Sequence, residues 1–112
     1  MPDKTSLYAP LLVETAWEVC NQVGGIYTVV RSKAPEIVDK WAGNYCMVGP
    51  LLHSKLPAEF EEGFEYDDAF GEAVLEMRKL GFEIHYGRWL TDGKPKVILM
   101  PPLQVFDKIK EI

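Results

Sequence analysis

Residues 11–35 read LLVETAWEVCNQVGGIYTVVRSKAP. The apolar run LLVETA (11–16), bounded by Pro10 and the later glycines, predicts a buried strand. From Ile26 the spacing changes. Ile26, Val29, Val30 and Ala34 recur at helical intervals, with Arg31, Ser32 and Lys33 on the other face. EVCNQVGG is the connection between the two elements. Pro35 is expected to interrupt the helix, and PEIVDKW to restart it with Pro35 near its first position. Strand, glycine pair, helix is the order in which open α/β sheets hold ligands at the carboxyl ends of their strands. Gly24 and Gly25 can take φ > 0 and can let a ligand approach the peptide without a Cβ in the way. The helix start behind them offers unpaired N–H groups and partial positive charge, both suited to phosphate. The spacing is neither G-x-G-x-x-G nor a P-loop. On the residues alone, a ligand loop and a plain turn both stand.

Outward from this stretch, NYCMVGP (44–50) predicts a second strand, stopped by Gly49-Pro50. Residues 51–67 mix charges with Pro57 and Gly63 and are expected to form a surface excursion with one short strand at most. Phe70, Val74, Met77 and Leu80 form a stripe that predicts an amphipathic helix over 68–80, ended by Gly81. FEIHYGRW (82–89) alternates like a strand, TDGK (91–94) is a turn, and KVILM (96–100) is a further strand. QVFDKIKEI (104–112) predicts a last helix with Val105, Ile109 and Ile112 on one face. The order β-α-β-α-β-β is that of an α/β, Rossmann-like domain with a largely parallel sheet. Ile112 stands within its own helical stripe without a cap, Gly or Pro after it, which reads as a piece of something longer.

The chain has 112 residues, 47% apolar and 26% charged, as expected of one ordinary globular domain. A net charge of −5 supplies no basic stripe for phosphate backbones, so nucleic acid is an unexpected partner. No apolar run approaches the roughly 20 residues of a membrane span, and the N-terminus has no basic leader. The expected compartment is the cytoplasm. Cys20 and Cys46 lack metal spacing, and no histidine neighbours Cys20 to activate it. His85 reads as a packing histidine as readily as a catalytic one. His53 has no carboxylate or cysteine at useful spacing, and the carboxylates of EFEEGFEYDD (59–68) read as a solvated face. Arg88 in GRWL is able to hold an anion or to close a strand end. No residue is assigned a catalytic role.

ETAWEVCNQVGGIYTVVRSKAP resembles the N-terminal region of glycogen synthases of the animal and fungal type, glycosyltransferase family 3. The resemblance continues in order through NYCMVGP, HYGRWL and PKVIL, from Leu11 to about Met100. It implies the GT-B architecture of two facing Rossmann-like halves, with residues 1–112 as the first part of the N-terminal half and everything beyond it missing. It also implies retaining transfer of glucose from UDP-glucose to the 4-hydroxyl of a growing α-1,4-glucan, glycogen or starch, by an enzyme that is a homo-oligomer and uses no metal or cofactor. In such enzymes the loop holding Gly24-Gly25 approaches the donor. The position of Gln22 is often Lys or Arg in relatives, meeting the nucleotide phosphates, whereas Gln22 donates a hydrogen bond but neutralises no charge. The resemblance therefore makes Gly24, Gly25 and Gln22 the substrate-binding residues of a fragment expected to be inactive alone. A non-catalytic nucleotide-sugar or glucan-binding module, and a purely structural α/β domain, are the alternatives.

Overall fold

The computed structural model describes residues 10–22, 24–52, 55–63 and 68–102. The elements follow as β1 (Leu12–Thr15), α1 (Ile26–Trp41), a 3-10 turn (Ala42–Asn44), β2 (Tyr45–Pro50), β3 (Phe60–Glu62), α2 (Ala69–Lys79), β4 (His85–Trp89) and β5 (Lys96–Met100). The expected last helix, with Val105, Ile109 and Ile112, lies outside the described residues.

The five strands form one sheet in the order β1-β2-β5-β4-β3. β1–β2 and β2–β5 are parallel, with Val13 beside Cys46 and Val48 beside Ile98. β4 runs antiparallel to β5 and to β3. The expected largely parallel sheet is thus corrected to a mixed one. The cause is local: only the short turn at 90–95 joins β4 to β5, too short for the crossover that parallel neighbours need. β4 also begins later than expected, at His85 rather than at residue 82. Its Gly87 is where β3 comes closest, since a Cβ there would stand 2.0 Å from the Glu61 carbonyl oxygen.

α1 is one unbroken helix with Pro35 inside it, against the expected interruption. A proline removes one helical hydrogen bond and costs about 3 kcal/mol or more in a helix interior. Here the neighbouring turn offsets that cost by packing. Ala34 is fully buried, and Gly93, at φ +84°, lies so close that a Cβ on it would be 2.8 Å from the Pro35 Cα. The buried stripe of α1 is Tyr27, Val30 and Ala34, continued by Ile37, Val38 and Trp41. Ile26 and Val29 were expected on that stripe and are instead 55% and 58% exposed. Tyr27 takes the inner place because its ring packs 5.7 Å from that of Trp89 while its hydroxyl reaches Glu59.

Each sheet face carries one helix. The α1 side packs Tyr45, Met47, Val97, Leu99 and Trp89 against Val19, Tyr27, Val30 and Ala34. The α2 side packs Cys46, Tyr86 and Ile98 against Phe70 and Val74. α2 ends as expected at Gly81, whose φ of +92° lets the Gly81 and Phe82 N–H groups bond back to Arg78 and Met77. Leu80, expected on the apolar stripe, is 70% exposed because it caps the helix.

Asp68 starts α2 and ties it to the sheet. Its carboxylate accepts the Gly71 N–H at 2.7 Å, the Tyr86 hydroxyl at 2.8 Å and the Lys96 ammonium. Burial works to raise the Asp68 carboxyl, but the bonds from Lys96, Gly71 and Tyr86 outweigh it and hold it below its ordinary value. A carboxyl lowered on folding stabilises fully above its unfolded value, near pH 4, and loses that contribution as pH falls through the folded value. Asp68→Ala is expected to cost about 2 kcal/mol at pH 7, a lost cap plus the bonds that the Tyr86 hydroxyl and the Lys96 ammonium give to Asp68. The difference should shrink as pH falls below about 4. Urea unfolding of both proteins at the two pH values checks it, and a cost that does not change with pH counts against the ion pair.

Candidate functional site

The carboxyl ends of β1, β2 and β5 lie on one side of the sheet, where three connections gather. The Ala16 N–H bonds the Val48 carbonyl at 3.1 Å, and the Leu51 N–H bonds the Met100 carbonyl at 2.8 Å. Residues 16–22 leave β1 at this edge, and the glycine pair at 24–25 leads into α1. The Asn21 side-chain amide donates to the Pro50 carbonyl at 3.0 Å and to the Val19 carbonyl at 3.0 Å, which fastens the loop to the end of β2. Nothing in the spacing of the sequence marked Asn21 for that task.

Gly24-Gly25 lies where the sequence places it, between strand one and the N-terminus of helix one. The expected use of φ > 0 is not what the backbone does. Gly25 is the N-cap with φ −75° and ψ −19°, ordinary right-handed geometry, and Gly24 is likewise outside the left-handed region. The strained position is Cys20, at φ 60° inside the turn that precedes the glycines. What the glycines supply is space. A Cβ on Gly25 would meet nothing within 4 Å. The N-cap residue Gly25 has no side chain to bond the first turn of α1, and no acidic residue sits in that turn. Its first N–H groups therefore keep their partial positive charge for an incoming oxygen.

Beneath the loop lies Glu18, 7% exposed, whose carboxylate accepts the Gly24 N–H. Reading by motif passed over it, because a charged residue in a connection looks like surface. Gln22 is exposed on the same loop. Arg31, the nearest cation to the glycines in the sequence of α1, donates from Nε to Thr91 Oγ1 at 2.8 Å and lies 5.9 Å from the Tyr27 ring centre. Lys33 pairs with Glu14, which also accepts the Tyr45 hydroxyl at 2.6 Å.

The other candidates have structural duties. Cys20 is buried, and burial together with the Glu59 charge pushes its thiol well above the ordinary range, the reverse of what a nucleophile needs. Burial pushes the Cys46 thiol up to about 12. His85 bridges Glu62 on β3 and Glu83, with 3.3 Å to the latter. Arg88 donates to the Lys94 carbonyl at 2.8 Å and closes the β4–β5 turn. The acidic stretch is not simply a solvated face, since Glu59 holds Tyr27 and Asp68 caps α2. His53 lies outside the described residues. Among the described residues, no three His, Cys, Asp or Glu gather closely enough to hold a metal ion, and no helix is long and apolar enough to cross a membrane.

A family model described as glycogen synthase matches residues 14–111. The chain is 45% identical to the liver glycogen (starch) synthase of Homo sapiens over 89 residues, which is 80% of this chain and 13% of that protein. It is 38% identical to the glycogen (starch) synthase of Neurospora crassa over 101 residues, 90% of this chain and 14% of that one. Isoform 1 of Saccharomyces cerevisiae is 42% identical over 97 residues, again 80% of this chain and 14% of the relative. The chain thus spans about one-seventh of the length of these relatives.

Proposed function

Since the chain belongs to the glycogen synthase family, we propose that it forms one wall of the donor site of a UDP-glucose-dependent glucosyltransferase. On this reading residues 1–112 are the first part of the N-terminal Rossmann-like half of a GT-B enzyme. That enzyme transfers glucose with retention to the 4-hydroxyl of an α-1,4-glucan, works in the cytoplasm as a homo-oligomer, and uses no metal or cofactor. The observation that carries the reading is the N-terminus of α1 opening on Gly25, which brings no side chain to cap it and leaves open space, at the carboxyl ends of the parallel strands.

The chemistry follows from charge. As the bond from the glucose anomeric carbon to the diphosphate oxygen breaks and that carbon is passed to the acceptor 4-hydroxyl, negative charge grows on the leaving diphosphate. Fixed N–H donors in a dry site stabilise that charge without reorganising. The N–H groups that open α1 are such donors, and the absence of a Cβ at Gly25 lets phosphate oxygens reach them. Gln22 adds a neutral hydrogen bond from the exposed side of the loop. Holding and orienting the diphosphate is the whole contribution of this segment. The groups that act at the anomeric carbon belong to the rest of the enzyme.

The test uses a chimera in which residues 14–111 replace the matching segment of the human liver enzyme. Gln22→Lys is expected to lower KM for UDP-glucose roughly threefold, the scale of one exposed charge pair. Steady-state kinetics with glycogen in excess reads it. An unchanged KM would remove Gln22 from the donor site.

A further inference from the structure

We propose that Glu18 is a positioning residue: its carboxylate, through the Gly24 N–H, sets where the glycine loop lies against α1. The proposal rests on reading that loop as the donor wall, and two observations carry it. Glu18 is the charged residue that the described structure buries, at 7% exposure, although it sits in a connection. Taking a carboxylate out of water is costly unless donors surround it, so its place inside the loop needs a return. Part of the return is the bond from Gly24, with both carboxylate oxygens lying under that residue at 3.8 and 3.9 Å from where a Cβ would stand.

The second observation is what the glycines leave undone. Gly25 has ordinary right-handed angles and Gly24 is outside the left-handed region, so no left-handed conformation locks them, and two glycines in a row are the loosest link a chain has. A loop of that kind keeps one shape only if other groups hold it. Asn21 holds one side, to the end of β2, and Glu18 holds the other. The division of labour follows. Gly24 spends its N–H inward on Glu18, and the N–H groups offered outward begin at Gly25. Freed from Glu18, Gly24-Gly25 would sample positions that tilt those donors away from one another.

Glu18→Gln keeps an acceptor for Gly24 and removes the charge, whereas Glu18→Met keeps the volume and removes the acceptor. Hydrogen–deuterium exchange of the 112-residue chain reads the loop directly, with β2 and β5 amides as the folding control. The Gly24 amide in Glu18→Met should exchange about tenfold faster or more, the worth of a hydrogen bond to a charged group. In Glu18→Gln it should stay within about threefold of the parent rate. Unchanged Gly24 exchange in Glu18→Met overturns the proposal. If Glu18→Met loses protection in β2 as well, Glu18→Gln decides, and a tenfold loss confined to Gly24 there overturns it too. In the chimera, KM for UDP-glucose should rise in Glu18→Met and return in Glu18→Gln, with kcat moving less. Faster Gly24 exchange with an unmoved KM supports the positioning role while refuting the donor reading of the loop.

Discussion

Gly25→Val in the chimera is expected to lower kcat/KM for UDP-glucose about a hundredfold, the cost of a reacting group misplaced by about an ångström. Folding should hardly notice. Gly25 has right-handed helical angles, and a Cβ there touches nothing within 4 Å, so a side chain can start there without backbone strain. Its restricted χ1 at a helix start is partly offset by the freedom that the unfolded chain loses with the glycine, leaving a net change below about 1 kcal/mol. The two valine methyls would instead fill the approach to the N–H groups that open α1. Kinetics and thermal unfolding on the same preparation separate the effects. Full activity would mean that the diphosphate does not pass Gly25, and a large fall in Tm would mean that the valine acts through the fold.

What was legible in the sequence follows from local chemistry. β1, β2, β5 and α2 lie within two residues of their expected bounds, because each is an apolar run or stripe closed by Gly or Pro. The place of Gly24-Gly25 was equally legible, from the change of period at Ile26. The misses are effects of distant residues. Pro35 stays in α1 because Gly93, far along the chain, packs on it. Tyr27 displaces Ile26 and Val29 from the buried stripe because Trp89 and Glu59 receive it. The sheet is mixed because a turn and not a helix joins β4 to β5, a consequence already present in TDGK but outweighed by the β-α-β beginning. At Gly25 the missing side chain was legible and the structure keeps it as open space, whereas the expected φ > 0 is not used there. Glu18 and Asn21 were silent, since their partners are backbone groups that no motif records.

The 112-residue chain by itself is expected to transfer no glucose, and this is the largest effect of all. Stabilising the leaving diphosphate takes several fixed donors and cations, and each one removed costs a hundredfold or more, about 3 kcal/mol. Here Gln22 is neutral, Arg31 is bonded to Thr91, and Lys33 is paired with Glu14. The matched segment is 13% of the human relative, so most of what would surround the donor lies elsewhere in such an enzyme. Two such losses together already place the rate about ten-thousandfold down.

The most direct measurement is incorporation of radiolabelled glucose from UDP-glucose into glycogen, by the chain and by the chimera side by side. Background from the chain and transfer from the chimera are expected, because the segment is one wall of a donor site that the remainder completes. Transfer by the chain alone, or a folded chimera that binds glycogen and transfers nothing, would contradict this.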